Sequence, residues 1–280
     1  METNKLLINN YLTRLFRFRE LPLLFVNVVI VIALSILSPH FLNPRNLIAV
    51  LMGASFETII AIGMTLLLIS GGFDLSVGSV VGFGGVMAGK MLVFGMPVAI
   101  AVIIGLLSGA FVGFINGYII TKIRVNPLIT TLAMMSIIRG IIYIITKALG
   151  IPLLPENFNV IAQKQFYGIQ TPVFVMVFLV IVAEIFFRKS VFFRQYYFIG
   201  GNEESARLSG IRVDMLKWLA YIISGTLAAL AGILMASRMG GAQSSAGTGA
   251  ELRVITACVI GGCSLSGGEG TILGSFLGVL

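Results

Sequence analysis

The segment GGNEESARLSGIRVD, residues 200–214, lies in the one long polar stretch of a chain built mostly of apolar runs. Asn202 is a residue type favoured at a helix N-cap, and Gly210 is suited to end a helix. Glu203 and Glu204 would lie in the first turn, where the helix dipole favours anions. The pattern predicts a helix of about two turns, too short to be stable alone in water. Docking on a partner surface and a solvated connector are both consistent with it.

Composition identifies the chain as a membrane protein. Hydrophobic residues make up 58% of its 280 residues and charged residues only 11%, whereas about a quarter of the residues of soluble domains are charged. Several apolar runs reach the ~20 residues that a bilayer-spanning helix needs. The net charge of +8 does not require a nucleic-acid partner, because basic residues beside the spans of a membrane protein set its orientation.

Seven apolar runs predict helices that cross the membrane. They cover about residues 21–39, 47–70, 75–94, 97–121, 127–146, 170–187 and 218–237. After the seventh run the apolar sequence is interrupted by glycines. The predicted fold is an all-α polytopic membrane protein with about eight to ten transmembrane helices and broken, glycine-rich segments.

The basic residues predict how the spans are oriented. Four lie in residues 1–20, two follow the fourth span, and six lie in the stretch 188–217, while the external connections hold only scattered ones. Cytoplasmic loops carry the excess of Lys and Arg. Residues 1–20 are therefore predicted as a cytoplasmic segment, 21–280 as the transmembrane domain, and 188–217 as a cytoplasmic loop within it. Residues 147–168 are predicted to be an external loop.

Two glycine-rich segments resemble each other. LISGGFDLSVGS, residues 68–79, and VIGGCSLSGGEGT, residues 259–271, share the pattern G-G-x-[D/S]-L-S-x-G. Glycine-interrupted helices at corresponding positions of two internal repeats are a pointer to a transport pathway. Both segments are predicted to lie towards the cytoplasmic side.

The local interpretation of these segments is that the glycines end one helix and a polar residue caps the next. Asp74 or Ser76 would be the cap in the first segment, and Ser264 or Ser266 in the second. A gate in a transport pathway and a plain capped turn both remain open. The pathway or gate candidates are Gly71, Gly72, Asp74, Ser76, Gly261, Gly262, Ser266 and Gly267.

A further glycine pattern predicts close helix packing. Glycines recur every four residues in the fourth span, at Gly105, Gly109, Gly113 and Gly117. Lipid supplies no hydrophobic drive between helices, so a glycine face that lets two backbones approach provides van der Waals contact instead. The face is predicted to pack within the chain, and a seam between two copies is the alternative.

The sequence offers no constellation for enzyme chemistry, ATP binding or a metal. Gly262–Gly267 has the glycine spacing of a phosphate-binding loop, but Gly268 and Glu269 stand where its lysine and its hydroxyl residue belong. The acidic residues are scattered, and Cys258 and Cys263 lack metal-ligand spacing. The chain is expected to be no enzyme and to hold no cofactor or metal.

Several of these motifs indicate that the chain resembles a known family. The chain resembles the membrane permease subunit of bacterial ABC importers for ribose and related sugars, from about residue 20 to its end. Five motifs in the family's order carry the match: SGGFDLSVGS (70–79), NPLITTLAMMSIIRG (126–140), GGNEESARLSGI (200–211), AGTGAEL (246–252) and GGCSLSGGEGT (261–271).

The resemblance implies a bacterial inner-membrane permease with a cytoplasmic N-terminus that translocates a monosaccharide, ribose first. It also implies three partners: cytoplasmic ABC ATPase subunits, a periplasmic sugar-binding protein, and a second permease copy, either identical or a close paralogue. The short helix would then be the coupling helix that docks on the ATPase. Its residues are Asn202, Glu203, Glu204, Ala206, Arg207, Ser209 and Gly210.

Two expectations depart from this family pattern. The chain ends at Leu280 inside an apolar run, whereas the family's chains continue to about ten spans; we therefore expect a truncated sequence. The alternative function is an ion-coupled secondary carrier that works without an ATPase, with Glu57 in the second span as its first ionisable candidate. Other pentoses, hexoses and furanose-like signal molecules remain open as cargo.

Overall fold

The described part of the protein, residues 20–280 of a computed structural model, is almost entirely helical. The predicted cytoplasmic segment 1–20 lies outside the described residues apart from Glu20, at which the first helix begins. The helices of the first half are α1 Glu20–Leu37, α2 Pro44–Ile69, α3 Val77–Val93, α4 Val98–Tyr118 with a π-helical turn Ile119–Ile123, and α5 Pro127–Thr146.

The second half contains shorter elements as well. They are α6 Glu156–Gln163, strands β1 Gln165–Phe166 and β2 Ile169–Gln170, α7 Thr171–Lys189, α8 Val191–Gly201, α9 Glu203–Leu208, α10 Val213–Met239, α11 Ala250–Ile260 and α12 Ile272–Val279. β1 and β2 form a two-residue antiparallel hairpin. The predicted all-α fold is confirmed.

Within residues 20–280, five helices are long and apolar enough to cross a membrane: α2, α4 with its π-helical turn, α5, α7 and α10. The apolar part of α1 and the whole of α3 are shorter apolar helices. Each of the seven predicted spans is thus a helix. The helix starts follow ordinary capping rules: the side chains of Asn43 and Asn126 accept backbone hydrogen bonds at the starts of α2 and α5, each followed by a proline.

Helix α10 lies at the centre of the bundle and packs against α2, α3 and α4. Small residues make this possible. Gly109 and Gly113 of α4 lie against the backbone of Gly225 and Tyr221 on α10, and a Cβ added to Gly105 would lie 2.9 Å from the carbonyl oxygen of Gly84 on α3. The four glycines therefore face neighbouring helices of the same chain, and α4 and α10 approach backbone to backbone.

The polar stretch 188–217 is more ordered than its composition suggests. The sequence predicts a loop with one short helix, but α7 extends to Lys189, α8 follows at once, and α10 begins at Val213. The charges lie on the surfaces of these helices, so the stretch stays polar without being irregular.

The first and last described helices contact each other. The side-chain amide of Asn27 on α1 donates a hydrogen bond of 2.8 Å to the backbone carbonyl of Leu277 on α12, which is 250 residues later in the chain. α1 packs mainly against α12. A polar side chain in a membrane helix thus has a partner in another helix, as the low polarity of lipid requires.

Candidate functional site

The two similar glycine segments meet in the structure. Gly71 lies at the end of α2, and Gly267 and Gly268 lie between α11 and α12, all three with φ of 77–90°, a conformation that favours glycine. The backbone amide of Gly268 donates a hydrogen bond of 2.9 Å to the carbonyl oxygen of Ile69. A Cβ added to Gly267 would lie 3.0 Å from the Cα of Gly71. The repeat therefore brings its two copies into direct backbone contact.

A third segment completes this contact. Gly200, near the C-terminus of α8, packs against the carbonyl of Ile69 and the amide of Gly268, and a Cβ added to Gly267 would lie 2.8 Å from the Gly200 Cα. We call the set Gly71, Gly200, Gly267 and Gly268 the glycine junction. No side chain larger than hydrogen fits at Gly200 unless the backbone of α2 moves. The sequence alone could not show that this glycine joins the two motifs, because it lies far from both in the chain.

The first glycine segment is held by a buried polar turn. Asp74 is fully buried, and its Oδ1 accepts hydrogen bonds from the Ser76 backbone amide at 2.8 Å and the Ser76 hydroxyl at 2.6 Å. The amide of Asn116 on α4 donates to the same hydroxyl at 2.9 Å. Gly72 is close to Tyr221, whose hydroxyl donates to the Phe73 carbonyl at 3.2 Å. Asp74 and Ser76 thus fix the entry into α3 and have no exposed surface in this conformation.

The second segment is capped differently from the prediction. Ser264 and Ser266 do not cap α12; instead the Thr271 hydroxyl accepts a hydrogen bond of 3.0 Å from the Gly274 amide. The prediction was wrong because three more glycines, ending at Gly270, turn the chain further before the helix can begin. Ser266 is exposed. Gly261 is buried against Gly274 of α12, and Gly262 has φ of 91° with open space around it.

The short helix α9 projects at the end of α8. The Asn202 side chain accepts a hydrogen bond of 2.9 Å from the Ser205 amide, and Gly210 has φ of 82° just beyond the helix. Ala206 is buried against the chain itself, whereas Glu204 and Ser209 are exposed. Two surfaces of α9 are therefore open to a partner: the exposed side that carries Glu204 and Leu208, and a groove lined by Ser205, Ala206 and Ser209.

An ion-pair network ties α9 to the start of α10. Arg207 donates to Glu203 at 2.9 Å and to Asp214, and Lys217 also donates to Glu203. Partial burial alone would raise the pKa of Glu203, but the hydrogen bonds from Lys217 and Arg207 outweigh it, so the pKa lies below its ordinary value. The hydrogen bond with Asp214 is the main reason why the pKa of Arg207 is raised. These charges position α9 rather than bind a ligand.

Helix α8 connects α9 to the glycine junction. Tyr196 is buried and donates to the Leu216 carbonyl of α10 at 3.1 Å, while Tyr197 donates to the Gly270 carbonyl at 2.9 Å. Burial raises the pKa of Tyr197 to about 12, further above physiological pH than its ordinary value. Helix α8 therefore contacts both glycine segments, through Gly200 and Tyr197, and α9 follows it directly in the chain.

Beside α9 lies an open apolar groove of about 540 Å³. Phe198 on its rim and Leu208 on α9 are 64% and 84% exposed. Contiguous exposed apolar surface, unlike single exposed apolar residues, marks interaction sites, and the groove is a continuous apolar surface in an otherwise polar stretch. Sequence reasoning overlooked Leu208 and Phe198, although an apolar residue inside a charged stretch was a signal that could have been used. Within residues 20–280 no group of three or more His, Cys, Asp or Glu could hold a metal ion.

Comparison with known proteins gives one family. A family model described as the permease component of branched-chain amino acid transport systems matches residues 46–280. The chain is 41% identical over 254 residues to the ribose import permease protein RbsC of Bacillus subtilis, a match that covers 90% of this chain and 79% of the relative.

Two further relatives are similar over most of the chain. RbsC of Escherichia coli K12 is 37% identical over 286 residues, covering 100% of this chain and 88% of the relative. The L-arabinose transport system permease protein AraH of Escherichia coli K12 is 39% identical over 258 residues, covering 92% and 79%. No solved structure matches the chain.

Proposed function

The chain belongs to the family of permease components of branched-chain amino acid transport systems, and from this membership we propose that it is the transmembrane subunit of an ATP-driven importer for a monosaccharide, with ribose as the first candidate. It is a multi-pass membrane protein and not an enzyme. The sugar is chosen because the similar relatives are named for ribose and L-arabinose import. The permease family and the apolar helices support a bacterial inner membrane as its location.

The partners follow from this role. A permease has no ATP site of its own, so cytoplasmic ABC ATPase subunits supply the energy, and a periplasmic sugar-binding protein delivers the cargo. A second permease copy completes the path. With the N-terminus in the cytoplasm, α9 and the groove beside it lie on the cytoplasmic side, where the ATPase docks.

The observation that carries the proposal is the link from α9 to the glycine junction. α9 presents exposed apolar and polar groups outwards, its charges tie it to α10, and α8 joins it to both glycine segments through Gly200 and Tyr197. Docking and release of ATPase subunits at α9 would then move the ends of α2, α11 and α12 together. In this role Gly71, Gly72, Gly261, Gly262 and Gly267 act as the hinge of a gate, and Asp74 and Ser76 hold its first half in shape.

The test is energised uptake in proteoliposomes that contain the permease, its ATPase and its binding protein. We expect labelled ribose to accumulate only with ATP and loaded binding protein, and accumulation to continue when an ionophore collapses the proton gradient. Uptake driven by the gradient without ATP would instead establish an ion-coupled carrier. Stronger competition by unlabelled arabinose than by ribose would change the assigned sugar and leave the mechanism in place.

A further inference from the structure

A non-helical segment, residues 240–249, descends into the membrane alongside α3. A Cβ added to Gly89 would lie 3.3 Å from Ala242, one added to Gly82 would lie 2.9 Å from the carbonyl oxygen of Ala246, and Gly78 lies against Gly247. Gly78 and Gly89 are separated by about 16 Å along a helix that rises 1.5 Å per residue. The segment therefore extends well below the outer end of α3 before α11 begins.

Arg139 on α5 holds this segment at depth. Its guanidinium donates to the carbonyl oxygens of Ser244 at 2.8 Å and Ala246 at 3.0 Å. Non-helical backbone at membrane depth is tolerated only where it is buried in protein or lines a water-filled cavity. Arg139 thus supplies hydrogen-bond donors to two backbone carbonyls on the inner side of the segment. On its other side, the side chains of Gln243, Ser245 and Thr248 are exposed.

An ion pair continues the same exposed surface. The Arg253 side chain on α11 donates to the Glu57 carboxylate at 2.6 Å, and the two side chains are 55% and 30% exposed. Glu57 lies near the middle of α2, about 20 Å from its start at 1.5 Å per residue. An ionised pair at this depth is costly in lipid and usually faces water or other protein.

The lipid-facing surface of the same protein looks different. Over residues 171–187 of α7, before its basic last turn, every exposed residue is apolar: Phe174, Val177, Phe178, Ile181, Ile185 and Phe186. The set Glu57, Gln243, Ser245, Thr248 and Arg253, which we call the polar strip, is polar at comparable depth. The contrast indicates that the polar strip does not face lipid.

We propose that the polar strip is the wall of the translocation path and that Glu57 and Arg253 hydrogen-bond the hydroxyl groups of the passing sugar. This inference rests on the proposed function for the identity of the cargo. A carboxylate accepts and a guanidinium donates hydrogen bonds, and a pair that is neutral overall suits an uncharged polyol. The strip leads from the outer surface towards the middle of the membrane, so the cargo meets donors and acceptors along its way.

The first experiment measures whether the polar strip is accessible to water. In a background with Cys258 and Cys263 replaced by alanine, Ser245→Cys and the matched control Phe178→Cys are treated with an impermeant charged thiol reagent, on intact cells and on inside-out vesicles. We expect Ser245→Cys to react at least tenfold faster than Phe178→Cys from one side, and the reaction to block labelled ribose uptake. Equal slow reaction from both sides would overturn the proposal and indicate that a second copy or lipid covers the strip.

The second experiment separates sugar contact from a structural ion pair. The exchange Glu57→Arg with Arg253→Glu keeps the pair but reverses its geometry, so we expect normal abundance in the membrane and at least a tenfold loss of uptake. Gln243→Ala leaves the ion pair untouched and should lower uptake several-fold at unchanged abundance. Uptake near the wild-type rate in both variants would refute the sugar contact.

The two proposals fail in distinguishable ways, because thiol labelling does not require sugar. If Ser245→Cys reacts but the complex takes up no ribose, the assignment of ribose as cargo is refuted, and the proposal that the polar strip lines the path still stands. An unreactive Ser245→Cys in a complex that does take up ribose would refute the path alone.

Discussion

The backbone amide of Gly268 is hydrogen-bonded to the carbonyl oxygen of Ile69, the last residue of α2, at 2.9 Å. Two segments almost 200 residues apart in the chain are thereby joined main chain to main chain. Such a bond allows little relative movement of the two segments, since neither partner is a flexible side chain. Any rotation of the loop between α11 and α12 therefore changes the end of α2 as well.

Gly200 is the residue through which α8 reaches this bond. We expect Gly200→Ala to lower ATP-driven uptake strongly, because its Cβ would collide with the Ile69 carbonyl and the Gly268 amide. The strain of such overpacking is about 1–3 kcal/mol. Gly201→Ala is the matched control, since nothing lies within 4 Å of its added Cβ. Uptake and membrane abundance are measured for both variants. If Gly200→Ala and Gly201→Ala take up sugar at the same rate, contact with α8 does not control the gate.

The glycine face of α4 gives a prediction about stability. Gly109→Leu should lower the thermal unfolding temperature in detergent, because α4 and α10 are in backbone contact at Gly225 and overpacking typically costs about 1–3 kcal/mol. Phe111→Leu changes a residue that is 61% exposed and should have little effect. The prediction fails if both variants unfold at the same temperature.

Leu208 tests the docking surface of α9. Leu208→Ala should leave insertion unchanged and reduce the amount of ATPase that co-purifies, because burial of a leucine side chain contributes about 1.5–3 kcal/mol. Leu149→Ala is the control: Leu149 is 89% exposed and belongs to the predicted external connection. If the same amount of ATPase co-purifies with Leu208→Ala, the ATPase docks on a surface other than α9.

Acid should release α9 from α10. The pKa of Glu203 is lower in the folded protein than its ordinary value, so its stabilising contribution is present above the ordinary pKa and is lost as the pH falls through the lowered one. We expect stability in detergent to fall more steeply below pH 4.5, the ordinary pKa of a glutamate, in the wild type than in Glu203→Gln. Glu204→Gln should behave like the wild type, since Glu204 makes no ion pair within residues 20–280. Identical acid profiles for the wild type and Glu203→Gln would contradict this role of Glu203.

The orientation is tested by labelling single cysteines in a background without Cys258 and Cys263. Arg207→Cys should be protected from an impermeant maleimide on intact cells, and Asn157→Cys should react. Both residues are exposed, so a difference between them reports the side of the membrane. Reaction at position 207 with protection at 157 would reverse the topology.

Sequence patterns predicted the seven long apolar helices and α9, because each has its own signal: an apolar run, a capping asparagine or a terminal glycine. They missed α6 and α8, which lie in stretches predicted as loops. The glycine junction could not be predicted in the same way, since Gly200 has no local feature that connects it to Ile69. Ala206 shows the same limit. As a small residue in the short helix it is a predicted docking position, but only the packing reveals that it is buried and lines the groove beside α9.

The hydrogen bond from Asn27 to Leu277 has a consequence for biogenesis. The two residues are 250 positions apart, and at a synthesis rate of about 5–20 residues per second the acceptor emerges about 10–50 s after the donor. During that interval the amide of Asn27 must be solvated by lipid headgroups, water or the insertion machinery. The first described helix to leave the ribosome is thus among the last to reach its final neighbour.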